Sequence, residues 1–181
     1  MDRNSTRHLA FDALLAAMCA VLGYISLDFI NLKITFESVP VLIGALLFGP
    51  VDGAAAGFVG TLIYQLLRYG VSATTLLWIL PYVLCGALAG LYAKRRGFSL
   101  SARQTMFIVV ANELLITLLN TAVMYIDSKL YGYYSAAFIF GSLALRFAIC
   151  ISKALAYSFA LPPLLAALRR GGSIGGNGGV A

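Results

Sequence analysis

The sequence predicts an all-α integral membrane protein with six transmembrane helices and both termini in the cytoplasm. Two features of the composition support this prediction: 61% of the 181 residues are apolar and only 11% are charged. The charges also fall in short breaks between long apolar runs, as in helical membrane proteins. A soluble domain is about half apolar and about a quarter charged, so the composition excludes an ordinary globular protein.

Each predicted helix is an apolar window that approaches the roughly 20 residues needed to cross a bilayer. The six windows, of which the second is short, are residues 8–29, 38–48, 51–68, 75–92, 104–126 and 135–161. Gly49-Pro50 is expected to form a tight turn between the second and third helices. Pro81 is expected to kink the fourth helix, and Pro162-Pro163 to end or bend the sixth.

The basic residues predict the orientation, because short cytoplasmic loops of membrane proteins carry an excess of Lys and Arg. Eight of them fall on one side of the six-helix arrangement (Arg3, Arg7, Lys94, Arg95, Arg96, Arg103, Arg169, Arg170) and three on the other (Lys33, Arg68, Lys129). Both termini are therefore predicted to be cytoplasmic. We expect residues 1–170 to form one membrane domain, and the glycine-rich residues 171–181 to form a flexible cytoplasmic tail.

Several function classes are excluded or disfavoured by the residues present. The net charge of +6 does not indicate nucleic-acid binding, because the basic residues form no water-facing stripe. Cys19, Cys85 and Cys150 lie far apart in apolar runs, so we predict neither a disulfide framework nor a metal site. The single histidine, His8, belongs to no catalytic motif, and no nucleotide-binding motif occurs. The sequence therefore predicts no enzyme and no cofactor, and uphill transport would require an ion gradient or a partner.

Ionisable residues near the middle of the membrane need a partner or a function, because a charge there costs several kcal/mol. Glu113 lies roughly 14 Å into the fifth helix and Arg146 roughly 16 Å into the sixth, at about 1.5 Å per residue. In a core about 30 Å thick, we therefore predict that the two residues lie at a similar depth on neighbouring antiparallel helices. They form either a structural ion pair or a ligand site in which Glu113 holds Arg146 against an anionic ligand. Lys153 is expected to extend toward the cytoplasmic surface.

One side of the fifth helix is polar. Glu113 and Asn120 are two helical turns apart and share a face, with Asn112 about a quarter-turn away. Such groups either hold neighbouring helices together or line a cavity that opens to the outside.

Aromatic and polar residues lie at the outer level of the third and fourth helices. Trp78 and Tyr82 are four residues apart on one face, and Gln65 and Arg68 end the third helix. These residue types suit a flat heteroaromatic ligand, through stacking and hydrogen bonds to its edge. The alternative for Trp78 is the aromatic belt at the membrane interface.

A motif across the second and third helices is more specific. The run PVLIGALLFGPVDGAAAGFVG, residues 40–60, contains Pro40, Gly44 and the sequence L-F-G-P-x-x-G that ends at Gly53. This run resembles the substrate-binding S components of energy-coupling factor (ECF) vitamin transporters, and the folate-type members in particular. Ala45 stands where the family pattern places the first glycine. The segments TTLLWILPY and LNTAVMYIDSKLYGYYS are also similar to folate-type members, and the resemblance covers about residues 11–170.

The resemblance implies how the protein would work and with which partners. It implies a multi-pass protein of a prokaryotic plasma membrane that captures a vitamin from outside. A transmembrane coupling subunit and two ATPase subunits would then drive its delivery. Arg146 or Arg68 would receive a carboxylate of folate, Trp78, Tyr82 and Asn120 would bind its ring, and residues 28–37 would form a lid.

The first helix also carries the family's docking signature for the coupling subunit. Ala13-x-x-x-Ala17 and Ala16-x-x-x-Ala20 both match it, since small residues four apart let a partner helix approach closely. The alternative is packing within the chain.

Two other functions remain as alternatives. The first is an S component for another vitamin, such as riboflavin or pantothenate. The second is a standalone ion-coupled transporter, which is disfavoured because no inverted repeat is visible.

Overall fold

A computed structural model describes residues 3–29 and 32–170. Within these ranges it contains seven α-helices and one β-hairpin: α1 (Arg3–Tyr24), β1 (Leu27–Phe29), β2 (Leu32–Ile34), α2 (Ser38–Leu47), α3 (Pro50–Tyr69), α4 (Thr75–Arg95), α5 (Ala102–Leu130), α6 (Ala136–Phe140) and α7 (Leu143–Arg170). The predicted tail, residues 171–181, lies outside the described residues.

The predicted six-helix membrane architecture is confirmed. It consists of every described helix except the five-residue α6. The segments Thr75–Arg95, Ala102–Leu130 and Ala136–Arg170 are each long and apolar enough to cross a membrane, and His8–Tyr24 and Ser38–Leu47 are shorter apolar helices. Helix α2 lies at the centre of the bundle, where Val41, Leu42, Ala45 and Leu46 are fully buried. Its 10 residues rise only about 15 Å, half of a hydrocarbon core about 30 Å thick.

The turn between α2 and α3 forms at the predicted Gly-Pro pair. Gly49 has a φ of 125°, which a residue with a Cβ rarely adopts. Pro50 is the first residue of α3, where its missing N–H leaves no helical hydrogen bond unmade. The pair therefore reverses the chain at once, and α3 packs against both α2 and α4.

Helices α3 and α4 approach each other closely at a pair of glycines. A Cβ on Gly86 would lie 2.4 Å from the carbonyl oxygen of Gly53, and a Cβ on Gly53 would lie 2.9 Å from the carbonyl oxygen of Gly86. Small residues at such crossings allow van der Waals packing between backbones, which drives helix association in lipid.

We therefore expect Gly86→Ala to destabilise the protein by about 1–3 kcal/mol, the usual cost of overpacking. The expected result is a clear fall in the Tm of the detergent-purified protein. Ala156→Ser, which adds one atom at an exposed position of α7, is the control and should leave the Tm unchanged. Equal Tm values for Gly86→Ala and the wild type would contradict this close packing.

Several helices differ from their predicted windows, and the sixth window, predicted as one helix, is divided at residues 141–142 into α6 and α7. Helix α5 begins earlier than predicted, because Ser101 and Gln104 form a capping box that satisfies backbone N–H groups at its start. Helix α7 continues through Pro162-Pro163 to Arg170, so the prediction that this pair ends the helix is wrong. Neighbouring helices hold α7 together across the prolines, as is common in membranes: Leu161 and Leu165 are almost fully buried there.

The link between α1 and α2 is a short antiparallel hairpin that the sequence did not predict. Leu27 pairs with Ile34, and Phe29 pairs with Leu32. The hairpin includes residues 27–29, which the first predicted window assigned to a helix, so α1 ends earlier, at Tyr24.

The bundle has two distinct ends. At the end that we call the terminal end, a nitrogen of His8 in α1 lies 3.6 Å from Asp52 in α3, and Arg169 near the end of α7 donates to the carbonyl of Leu46. At the opposite end, the cavity end, Arg68 of α3 donates to the carbonyl of Tyr24. Both described chain ends therefore lie at the terminal end, together with the basic loop between α4 and α5.

Candidate ligand cavity

A cavity of about 760 Å³ lies in the half of the bundle at the cavity end. This volume is within the range of roughly 300–1,000 Å³ that is common for small-molecule sites. Its walls come from α3, α4, α5, α6 and α7, and from the segment between β2 and α2. Its polar and aromatic lining residues include Glu37, Tyr64, Gln65, Arg68, Trp78, Tyr82, Asn120, Asp127, Tyr133, Arg146 and Lys153.

Six of the eight predicted ligand residues line this cavity, namely Gln65, Arg68, Trp78, Tyr82, Asn120 and Arg146. The other two, Asn112 and Glu113, do not. Of the three polar residues predicted on this side of α5, only Asn120 therefore lines the cavity. Residues 113, 120 and 127 follow one another at intervals of seven, and this spacing extends the predicted polar face to Asp127.

Trp78 belongs to the cavity wall. Its indole N–H donates to Asp127 across 3.4 Å, and one turn deeper Tyr82 is 7% exposed. The hydroxyl groups of Tyr82 and Thr35 are 3.3 Å apart. The two aromatic rings therefore stand on one wall, as their spacing predicted, and are held by polar contacts at their edges.

Asp127 links three segments at the rim of the cavity, and the sequence analysis missed it. Its carboxylate accepts hydrogen bonds from the hydroxyls of Thr74 and Tyr133, in addition to the indole of Trp78. Burial and the neighbouring carboxylate raise the pKa of Tyr133 to about 12, so this hydroxyl remains a donor. Tyr131 also accepts from the backbone N–H of Ala73, so the loop after α5 is tied to the start of α4.

Arg146 lies on the wall formed by α7. Its guanidinium donates to the hydroxyl of Ser142 across 3.1 Å and contacts the sulfur of Met124 at 2.9 Å. Among the residues that the structure describes, no carboxylate pairs with it. The positive charge of Arg146 is therefore available to an anion inside the cavity.

Glu113 pairs with Lys153 and not with Arg146, so the predicted Glu113–Arg146 pair is wrong. The Nζ of Lys153 lies 3.0 Å from Oε2 of Glu113, and their side chains are 16% and 1% exposed. The expectation that Lys153 extends to the cytoplasmic surface is wrong as well. The prediction that Arg146 lies at the depth of Glu113 is also wrong, because the sixth window breaks between α6 and α7 and Arg146 lies only three residues after the start of α7. Lys153, two turns further along the same face of α7, therefore reaches the level of Glu113.

Asn112 points away from the cavity, and its predicted place in the cavity wall is wrong. It is 4% exposed, and its backbone carbonyl lies 3.9 Å from the sulfur of Cys85 in α4. Asn112 therefore belongs to the contact between α4 and α5.

The segment predicted as a lid covers part of the cavity. Ile34, Thr35 and Glu37 all line it. Glu37 is 1% exposed and accepts a 3.5 Å hydrogen bond from Thr61 of α3. The base of this segment is therefore anchored in the protein interior.

The four alanines of the docking signature divide into two faces of α1. Ala16 and Ala20 are 6% and 7% exposed, and a Cβ on Gly60 of α3 would lie 2.7 Å from the carbonyl of Ala16. These two alanines pack within the chain, so their predicted role in docking is wrong. Ala13 and Ala17 are exposed and remain accessible to another helix.

A cavity with aromatic and charged walls in one half of a membrane-spanning bundle has the form of a small-molecule site. The family model described as "ECF transporter, substrate-specific component" matches residues 7–168. The chain therefore belongs to the ECF transporter S components, as the sequence motif predicted. Members of this family bind vitamins and work with the partners of an ECF module.

Two solved structures share the fold. A crystal structure of FolT bound with folic acid superposes with a TM-score of 0.64 at 22% identity, over 86% of this chain and 89% of that chain. A structure of the S component for biotin from an ECF-type ABC transporter gives a TM-score of 0.70 at 17% identity, over 94% and 95%. A search of curated proteins found no match.

Proposed function

We propose that this protein is the folate-binding S component of an ECF-type importer in the plasma membrane of a prokaryote. The observation that carries the proposal is Arg146, a cation without a carboxylate partner among the described residues, which faces the same cavity as Trp78 and Tyr82. Folate has a flat pterin at one end and carboxylates at the other, so it matches both features. The sequence resemblance to folate-type members and the fold shared with FolT also support it.

The ligand would lie with its two ends on different walls. A carboxylate would accept hydrogen bonds from Arg146, whose planar guanidinium suits a bidentate contact. Lys153, two turns deeper on the same helix, would add positive charge while Glu113 holds it in place. The ring would stack on Trp78 and Tyr82.

Polar groups near the aromatic wall would recognise the edge of the ring. Asn120 and Gln65 offer both donors and acceptors, and Asp127 offers an acceptor for the N–H groups of a pterin. Arg68 would contribute to the second carboxylate. The segment at residues 28–37 would close over the bound vitamin.

Orientation and partners complete the proposal. Both described chain ends lie at the terminal end with the basic loop, and by the positive-inside rule we infer that this end faces the cytoplasm and the cavity end faces outside. The vitamin would therefore enter from outside. Ala13 and Ala17 would receive the transmembrane coupling subunit, and two ATPase subunits would supply the energy for release inside.

Biotin is the second candidate ligand, because the biotin S component superposes with the higher TM-score over more of the chain. Biotin also carries a carboxylate for Arg146. It lacks a flat aromatic ring, so it would gain less from Trp78 and Tyr82 than folate does.

Tryptophan fluorescence tests the ligand directly, because Trp78 is the single tryptophan of the chain and lies in the cavity wall. The purified protein is titrated with folate, 5-formyltetrahydrofolate, biotin, riboflavin, thiamine and pantothenate. We expect saturable quenching by the folates at sub-micromolar concentration, with correction for absorbance by the ligands. The Trp78→Phe variant measures the background from tyrosine.

The other outcomes test the folate ligand and the S-component function separately. Saturable quenching by biotin or another vitamin alone would contradict folate and leave the S component. No saturable response to any of the six would contradict a ligand beside Trp78. If cells that express this chain alone, without ATPase partners, accumulate the ligand, that result would favour a standalone transporter.

A further inference from the structure

A second concave surface lies on the outer side of the bundle between α5, α6 and α7. Its volume is about 550 Å³, and it is lined by Leu118, Thr121, Ala122, Tyr125, Ile126, Ile139, Phe140, Leu143 and Phe147. We call it the outer groove. Eight of its nine lining side chains are apolar or aromatic, and several are exposed in a part of the chain that spans the membrane. Lipid is therefore the solvent that this surface meets.

The outer groove and the ligand cavity lie on opposite faces of α5. At about 100° per residue, Leu118, Ala122 and Tyr125 form a narrow stripe about half a turn away from the stripe of Glu113 and Asn120. Thr121 lies at the boundary and lines both spaces. The groove is therefore not an extension of the vitamin site.

A lysine lies at the end of this stripe. Lys129 continues the line of Leu118, Ala122 and Tyr125, and its ammonium lies 3.7 Å from the ring centre of Tyr134 and 5.8 Å from that of Tyr125. The two rings meet edge to face at 5.5 Å. Within the described part of the chain, no carboxylate pairs with Lys129. The ammonium is therefore held at the groove's end by aromatic rings, with its charge uncompensated.

The length of the stripe matches one leaflet of a bilayer. From Leu118 to Lys129 the helix rises roughly 16 Å, and one leaflet contributes about half of a hydrocarbon core about 30 Å thick. An acyl chain in the groove would thus place its headgroup at the level of Lys129. Tyrosines such as Tyr125 and Tyr134 are typical of that level.

We propose that the outer groove binds an anionic phospholipid, with one acyl chain between α5 and α6–α7 and the headgroup phosphate on Lys129. The lipid lies in the leaflet at the cavity end. It packs against the outer side of α5, whose opposite side faces the vitamin cavity, and Thr121 lies at the boundary between the two. This site does not depend on the identity of the vitamin.

Native mass spectrometry of the detergent-purified protein tests the site with two lipids that carry the same acyl chains, phosphatidylglycerol and phosphatidylcholine. A basic residue near a membrane surface contributes about 1 kcal/mol of attraction to anionic lipid, so we expect about fivefold tighter binding of phosphatidylglycerol. Lys129→Gln, at an exposed position, should remove this preference. Lys94→Gln, at the terminal end, is the matched control and should retain it.

A second variant tests the groove itself. Ala122→Trp fills it from an exposed position on α5 and should reduce the binding of both lipids, while its Tm reports that the protein is folded. An equal affinity for the two lipids in the wild type would overturn the proposal. So would an unchanged preference in Lys129→Gln, an equal loss in Lys94→Gln, or wild-type lipid retention by Ala122→Trp.

Discussion

Arg146→Gln is expected to weaken folate binding by about 100-fold while the protein remains folded. Removing one partner of a buried, hydrogen-bonded charge pair costs roughly 2–5 kcal/mol of binding free energy, and 100-fold corresponds to about 2.7 kcal/mol. In the absence of ligand, the guanidinium contacts only the hydroxyl of Ser142 and the sulfur of Met124 among the described residues. Its removal therefore breaks no internal ion pair.

Two measurements on the same sample distinguish binding from folding. Isothermal titration calorimetry gives the Kd for folate, and thermal unfolding without ligand gives the Tm. Arg95→Gln, at the terminal end and exposed, is the matched control and should leave both values unchanged. Wild-type affinity in Arg146→Gln would contradict the role of this guanidinium, and a large fall in Tm would show that Arg146 is mainly structural.

Glu113→Leu is expected to cause the largest loss of stability of any single substitution proposed for this protein. It leaves the ammonium of Lys153, which is 16% exposed, without its counter-charge in the interior of a membrane protein. Breaking a buried ion pair by removing one partner costs about 3–5 kcal/mol. Moreover, Oε1 of Glu113 has no hydrogen-bond partner within the described residues, so the carboxylate contributes chiefly through Lys153.

The double variant Glu113→Leu/Lys153→Met tests whether the unpaired charge of Lys153 causes the loss of stability. Replacing both charges with apolar groups of similar size is often neutral or stabilising, so we expect the double variant to recover most of the loss. The free energy of unfolding is measured by denaturant titration in mixed micelles, for the wild type, both single variants and the double variant. A double variant no more stable than Glu113→Leu would show that shape at position 113, and not charge, is the cause.

The membrane architecture was predictable from the sequence because it depends on quantities that act along the chain. The length of an apolar run sets whether a helix can span the bilayer, and a Gly-Pro pair sets where the chain turns. The six windows likewise predicted that the two described chain ends and the loop between α4 and α5 lie at one end of the bundle, as they do. The S-component family followed from one local motif, residues 40–60.

The cavity was predictable only in part. Seven-residue spacing on α5 and four-residue spacing on α4 indicated which faces are polar or aromatic, and Asn120, Trp78 and Tyr82 line the cavity accordingly. The same spacing would have indicated Asp127, seven residues beyond Asn120. Its role depends on Thr74 and Tyr133, which come from two loops, and loop contacts leave no periodic signal.

The sequence by itself determined the six-helix membrane architecture, the turn at Gly49-Pro50, and which faces of α4 and α5 are aromatic or polar. Only the tertiary structure decided that Glu113 pairs with Lys153, that Asn112 faces α4, and that Ala16 and Ala20 pack inward while Ala13 and Ala17 do not. The physical reason is that the rise per residue fixes spacing along a helix axis, but not where a helix breaks or how far along its neighbours it lies. Rotation about that axis and the choice of neighbour are set by the packing of all the helices together.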